Sequence, residues 1–394
     1  GITLATMGSG SQNVSLLQAS TFGNGKIVKW CSYDWVFDNI LGPVFGMDDL
    51  IWKGIVWAAR KPFVMQGIPP FVTMRVDDTD GSGPGVIENF EWIRICNDYG
   101  IIPWIGTFNN DIRRTNIPTL KGLLDNNLAT AFPHAFTGDD FIYFNHQNLP
   151  SFDPAANVRA ARDFYITHGL KFSKYLVPHF YEISSEALRE VRNIGAEFIA
   201  THMLPDQFYF ASPPTPWINC GPYRINRNGN ASGDVPVYYA GYVNLNGIQF
   251  FNCMIEITDD GGYEWYPDND VVSTVARGIR HLRRSFHSMA LASLFTHEYF
   301  FANISPANWR EIIRQITSNI TEYSPEYRST DYAVQYLRAK QNIVITNVVD
   351  NLNSVTISYT GSNDMDTRCY LFNESGGNIT FRYVTLPQTN GNNT

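Results

Sequence analysis

Two adjacent carboxylates, Asp77 and Asp78, close a short run, Phe71-Val72-Thr73-Met74-Arg75-Val76, that reads as a β-strand. A Gly/Pro/Ser turn from Gly81 to Gly85 follows. Successive strand residues face opposite ways, so two carboxylates at a strand end meet one cleft rim in different directions. One of them can bind a cation while its neighbour stays free to take a proton. Asp-Asp pairs also occur in solvated turns, and the pair alone does not separate the two readings. The histidines do. Of eight, His134, His179, His202 and His297 fall at predicted strand ends or in the loops just behind them. An imidazole in such a place can ligate a divalent ion or move a proton. His281 lies off the apolar stripe of its helix, His168 and His287 have no comparable setting, and His146 is ambiguous.

The elements that must position these groups follow from periodicity. From 71 to about 325, strands alternate with helices. Asn89 to Tyr99 reads as a helix stopped by Gly100, and Ile101 to Phe108 as the next strand. Ser184 or Ser185 caps a helix carrying Leu188, Val191 and Ile194, with strand Glu197 to Ala200 after it. Val272, Val275, Ile279, Leu282, Phe286 and Met289 make one apolar stripe of a long helix. Strand Leu291 to Thr296 and a helix from Pro306 to Ile320 complete the series. Repeated βα units predict a parallel sheet curled into a barrel, with the site on the loops at the strand C-termini.

Two flanking regions differ. Residues 1–70 read as a partial α/β segment, with a strand at Lys26 to Trp30 and a helix over Asp48 to Arg60. Residues 326–394 hold short strands around Ile343, Val355, Cys369 and Ile379 between Gly/Asn/Ser turns. They predict a small antiparallel β module whose end, after Pro387, frays. The domain organisation expected is therefore 1–70, 71–325 and 326–394.

Composition narrows the partners. Of 394 residues, 44% are hydrophobic and 17% charged, enough for a sizeable core. The net charge is −8 with no Lys/Arg-rich block, which argues against nucleic acid and anionic membranes. No apolar run reaches the roughly 18–20 residues of a membrane span. Five scattered cysteines show no metal spacing. The 9 Trp, 21 Tyr and 26 Phe suit the flat apolar faces of a sugar cleft as well as a core. Sequons such as Asn13-Val14-Ser15 lean only slightly towards a secreted glycoprotein, outside the cell or on its surface.

The ordered set of motifs from Phe71 to Tyr323 resembles the NodB-homology polysaccharide deacetylase domain, a distorted (β/α) barrel. Arg75-Val76-Asp77-Asp78 is similar to that family's first motif, and Ile102-Pro103-Trp104-Ile105-Gly106-Thr107-Phe108 to the strand after it. Leu128 to His134 falls where the family has His-x-x-x-His. Pro178-His179-Phe180-Tyr181 resembles its Arg-Pro-Pro-Tyr segment, and Leu294-Phe295-Thr296-His297 its final Leu-x-His strand. The first histidine of the second motif is replaced by Thr130. Either His179 or, second, His202 supplies the missing ligand, or the metal site is degraded.

The resemblance implies a metal-dependent hydrolase that removes N-acetyl groups from an amino-sugar polysaccharide or oligosaccharide. Asp78, His134 and His179 would hold a divalent metal, Zn²⁺ by ligand type. Asp77 would be the base and His297 the acid. Trp104, Tyr181, Glu182 and His202 border the motifs and are the candidate substrate contacts. Glu298 stands beside His297 and could orient it, although adjacent strand residues point apart. Two other readings stay open. One is a glycoside hydrolase using Asp77 or Asp78 with Glu182. The other is an inactive carbohydrate-binding or structural protein on the same barrel, for which Thr130 speaks.

Overall fold

The computed structural model describes residues 1–9, 12–32, 49–81, 89–199, 244–245, 248–250, 265–287, 289 and 291–393. In chain order its elements begin with β1 (Ile2–Ser9), β2 (Gln12–Phe22), β3 (Gly25–Trp30), α1 (Asp49–Ala59) and β4 (Phe63–Gln66). Then come β5 (Phe71–Thr79), α2 (Glu91–Asn97), β6 (Pro103–Phe108), α3 (Ile117–Asp125), β7 (Thr130–Ala135), α4 (Pro154–His168) and β8 (Tyr175–Leu176). Next are α5 (Ser185–Asn193), β9 (Phe198–Ile199), β10 (Asn244–Leu245), β11 (Ile248–Phe250), α6 (Val271–His287), β12 (Ala292–His297) and α7 (Pro306–Ser318). The chain ends with β13 (Glu326–Tyr327), α8 (Thr330–Gln341), β14 (Ile343–Asp350), β15 (Val355–Asn363), β16 (Thr367–Ser375), β17 (Asn378–Leu386) and β18 (Thr389–Asn393).

The protein is mixed α/β around a parallel sheet in the order β12-β5-β6-β7, with β13 beside the start of β5. β5 is buried along nearly its whole length, as a central parallel strand must be. Its alternation divides the core. Val72, Met74 and Val76 join Ile105, Ala131 and Leu294 against Trp92 of α2 and Trp309 and Ile312 of α7. On the other side Phe71, Trp104 and Phe132 pack with Tyr175, Leu176 and Phe198. Those last residues belong to a second array, in which β8, β9 and β11 run parallel and β10 pairs antiparallel to β11. The two arrays enclose a filled interior. Among the described residues no ladder joins β7 to β8 or β11 to β12, so the strands form two separate arrays and not the single closed barrel expected.

Helix starts follow local chemistry. The side chains of Asp153, Ser184, Ser305 and Ser329 accept backbone N–H bonds from Ala156, Ala187, Asn308 and Tyr332, the expected N-caps. Pro154 and Pro306 occupy first helical positions, where a missing N–H does no harm. The predicted stripe of α6 holds at Val275, Leu282 and Phe286, whereas Val272 is exposed and Met289 lies beyond the helix.

The flanks are more entangled than their sequences suggest. The first residues form an antiparallel sheet, β1-β2-β3, with α1 after it. β4 then pairs antiparallel with β16, in a sheet ordered β17-β16-β4. The segment 1–70 and the C-terminal module thus share a sheet. The region after Pro387 does not fray: β18 pairs with β15, which also pairs β14. Cys31, Cys96 and Cys369 are free thiols, and no described helix is long and apolar enough to cross a membrane.

Trp104 corrects one expectation. Its indole is fully buried, donates to Tyr175 O at 2.9 Å and Ser173 Oγ at 3.1 Å, and meets the Tyr175 ring edge-on at 5.6 Å. It ties β6 to β8 through the interior and is a core residue, not a wall for substrate. Trp104→Ala should therefore lower unfolding free energy by about 3–5 kcal/mol, measured by urea unfolding. A change below about 1 kcal/mol, the scale of an exposed substitution, would place the indole outside the core.

Candidate metal centre

The site begins with a slip in register. β5 and β6 pair regularly from Met74↔Pro103 to Val76↔Ile105, and resume at Thr79↔Thr107. One extra residue on β5 is accommodated there, which makes a β-bulge. Asp78 sits in it at φ 54°, in the left-handed region that aspartate tolerates better than most residues. In a regular strand Asp78 would follow Val72, Met74 and Val76 towards the helices. The bulge instead turns it to the side of Asp77. His134 Nε2 lies 3.7 Å from Asp77 Oδ2 and 3.5 Å from Asp78 Oδ1.

Asp77 is buried and clamped. Arg75, two residues earlier and so on the same face, donates through Nε to Oδ1 at 2.9 Å and through Nη2 to Oδ2. The guanidinium lies over the Phe295 ring at 4.2 Å. Burial pushes the Asp77 carboxyl up, but Arg75 with His134 and His297 outweighs it and holds the group at about 2. Sequence inspection passed over Arg75, although an arginine two places before an aspartate on a strand is a legible signal.

His134, on β7, presents a defined nitrogen. Its Nδ1 is 2.7 Å from Val177 O. A carbonyl only accepts, so Nδ1 carries the proton and Nε2 turns a lone pair towards the carboxylates. Gly106 makes room, since a Cβ there would stand 3.0 Å from His134 Cβ and Cγ. Thr130 lies at the opposite end of β7, paired with Trp104. Four residues of strand span about 13 Å, so this position cannot serve the site whatever residue fills it.

His179 comes from a single 3₁₀ turn, His179–Tyr181, after β8. Its Nε2 is 3.8 Å from Asp78 Oδ1, and its ring is 4.9 Å from that of His134. Burial, with His134 next, keeps it well below the ordinary histidine range and hence neutral. Phe108 and Phe141 flank it. Ligand atoms of Asp78, His134 and His179 all lie within 4.8 Å of one another. Two donors on one tetrahedral ion stand about 3.2–3.6 Å apart, close to the 3.5 and 3.8 Å seen here. The donor set, one carboxylate and two imidazoles, suits Zn²⁺ or a similar divalent ion.

His297 ends β12 directly opposite Asp77 in the ladder. Its Nε2 is 3.9 Å from Asp78 Oδ2, and its ring stacks on Tyr299 at 5.0 Å. The adjacent Glu298 is buried and turned elsewhere: it accepts from the N–H groups of Asp80 and Gly81 and from the Trp92 indole. Burial pushes its carboxyl up to about 7 against those donors. The idea that it orients His297 gives way to a role in the loop after β5.

Of the expected substrate contacts, Glu182 is buried with Oε2 2.7 Å from His146 Nδ1. The His146 ring stacks on Phe180 at 4.8 Å, and Phe180 on His179 at 4.3 Å. His146, left undecided from sequence, therefore belongs to the aromatic wall of the site. Tyr181 closes the His179 turn. His202 lies outside the described residues.

No family model and no curated protein matches the sequence. Among solved structures, the chain is similar to a Mycobacterium smegmatis protein assigned as a polysaccharide deacetylase. That likeness has 13% identity and a TM-score of 0.39, covering 69% of this chain and 91% of the other. It is similar to the chitin deacetylase of Colletotrichum lindemuthianum at 12% identity and TM-score 0.38, covering 68% and 87%. A 4-alpha-glucanotransferase from Thermococcus litoralis overlaps at 10% identity and TM-score 0.35, covering 66% and 39%. Likenesses this loose assign no chemistry, which has to come from the side chains.

Asp78→Ala and His134→Ala should each abolish tight retention of a divalent ion while the fold survives, read by elemental analysis and circular dichroism. Gly106→Ala should weaken metal binding by displacing the His134 ring. Full metal occupancy in both alanine variants at Asp78 and His134 would refute the assignment.

Proposed function

We propose that this chain is a metal-dependent carbohydrate hydrolase that removes N-acetyl groups from an amino-sugar polysaccharide or oligosaccharide. The observation that carries the reading is the cluster of Asp78, His134 and His179, set between a clamped carboxylate, Asp77, and a partly exposed imidazole, His297. A divalent cation held by the first three residues would acidify a water and polarise the N-acetyl carbonyl. Asp77 and His297 supply the proton traffic on either side.

Asp77 is ionised from about pH 2 upward, so it is always ready to accept the proton of the attacking water. A carboxylate held this low is a weak base, and it accepts only from a water already made acidic. Arg75 fixes its two oxygens in place and keeps it from rotating away. His297 hands a proton to the departing amine, which would otherwise leave as an anion. The buried faces of Phe108 and Phe141 keep His179 dry and neutral, the state in which an imidazole can bind a metal. A polymeric amino-sugar substrate would be met outside the cell or at its surface.

A glycosidase would need two carboxylates facing each other across the sugar. Here Glu182, the partner that reading gives to Asp77 or Asp78, is held by His146, and the reading leaves His134, His179 and His297 without work. A binding protein that has lost its metal drew support from Thr130, which lies at the far end of β7.

Incubation with acetylated hexosamine polymers should release acetate, and a chelator should stop it. Asp77→Asn and His297→Ala should each keep the ion and slow release by about 10²–10⁴-fold. Chelator-insensitive production of reducing ends would favour the glycosidase, and neither product at any pH would favour the binding protein.

A further inference from the structure

Glu298 extends the contact between β12 and β5 past its last ladder pair. That ladder runs in register to His297↔Asp77 and stops there. Beyond it, the Glu298 side chain takes over the work of a backbone carbonyl. Its Oε2 accepts from the N–H of Asp80 at 2.7 Å and of Gly81 at 2.9 Å, and its Oε1 accepts from the Trp92 indole at 2.8 Å. Two consecutive N–H groups converging on one carboxyl oxygen fix the peptide between them. The far side of the same loop is also held, because Gly81 O accepts from Asn116 Nδ2 and from the N–H of Asn89, both at 2.8 Å. A side chain at Gly81 would collide with the Phe90 ring.

We propose that Glu298 is the positioning residue for Asp78. By pinning the two amides that follow the bulge, it holds Asp78 in the left-handed conformation that aims its carboxylate at His134 and His179. The proposal rests on the metal-site reading above. A non-glycine residue at positive φ persists only where its surroundings over-determine it. On the β6 side the ladder slips at this point, so it offers no regular pair to hold the residue. Within the bulge Thr79 Oγ1 donates to the carbonyls of Val76 at 3.2 Å and Asp77 at 3.3 Å, and from the β12 side the Glu298 carboxyl adds its bonds to the two amides that follow. The same residue follows the candidate proton donor His297, so one side chain sets the distance between donor and metal ligand.

The test compares Zn²⁺ affinity, by competition with a chromophoric chelator, and the Co²⁺ absorption spectrum, which reports ligand geometry. Glu298→Ala should weaken Zn²⁺ by about 10–100-fold, the usual effect of losing a group that orients a ligand, and should alter the Co²⁺ spectrum. Trp92→Phe, which leaves both loop amides bonded, should bind close to wild type. Glu298→Gln should fall between them, since its one carbonyl can serve the loop or the indole but faces donors on both sides. Adding Trp92→Phe to Glu298→Gln removes the competing donor and should restore affinity towards wild type. A merely structural role makes the double variant worse than either single, so that result overturns the proposal even if Glu298→Ala does not fold. Unchanged affinity in Glu298→Gln and in Glu298→Ala overturns it too. Wild-type protein that binds no divalent ion sinks the metal-site reading itself, and the proposal with it.

Discussion

Much of the site follows from one extra residue in β5. Parallel strands are held on both sides, so their side-chain alternation is fixed along the ladder. A regular β5 would send Asp77 into the cleft and Asp78 into the helix layer, and three histidines would then face a single carboxylate. The bulge brings both onto one side, at the cost of a left-handed aspartate, about 1–2 kcal/mol. What offsets that cost is near at hand: the Arg75 clamp before it, and the Glu298 and Asn116 bonds to the loop after it.

The electrostatics are arranged around the same point. Two carboxylates and the imidazoles of His134, His179 and His297 lie within a few ångströms, largely out of water. Each group is settled by a different neighbour. Arg75 keeps Asp77 charged, the Val177 carbonyl selects the proton position on His134, and burial keeps His179 neutral. The outcome is an ionised Asp77 beside a neutral His179 and a His134 whose Nε2 faces the carboxylates. Such a set suits one cation and leaves one carboxylate over.

Periodic features were readable in advance. The Phe71–Val76 strand, the βα alternation, the Ser184 cap and the strand-end histidines each depend on residues close together in sequence. Features created by pairing were not readable. The bulge at Asp78 exists only in relation to β6. The resemblance to a His-x-x-x-His motif placed Thr130 beside His134, whereas a strand carries it to the other end. Trp104 looked like a sugar platform because composition cannot tell an aromatic in a cleft from one in the interior. β18, with its Thr-Asn-Gly-Asn-Asn sequence, has almost no intrinsic strand preference. It forms because β15 offers it an edge.

The pairing of β4 with β16 has a consequence for how the chain comes to be folded. Ile68 and Tyr370, bonded through the tyrosine hydroxyl, are 302 residues apart. During synthesis at about 5–20 residues per second, β4 waits for tens of seconds before its partner emerges. For that interval its edge is open to any passing strand, the situation in which nascent chains pair wrongly or aggregate. The four residues of β4 are few, and a short edge is a weak template. Brevity there protects the newborn chain, and the sheet waits for the C-terminal strands to close it.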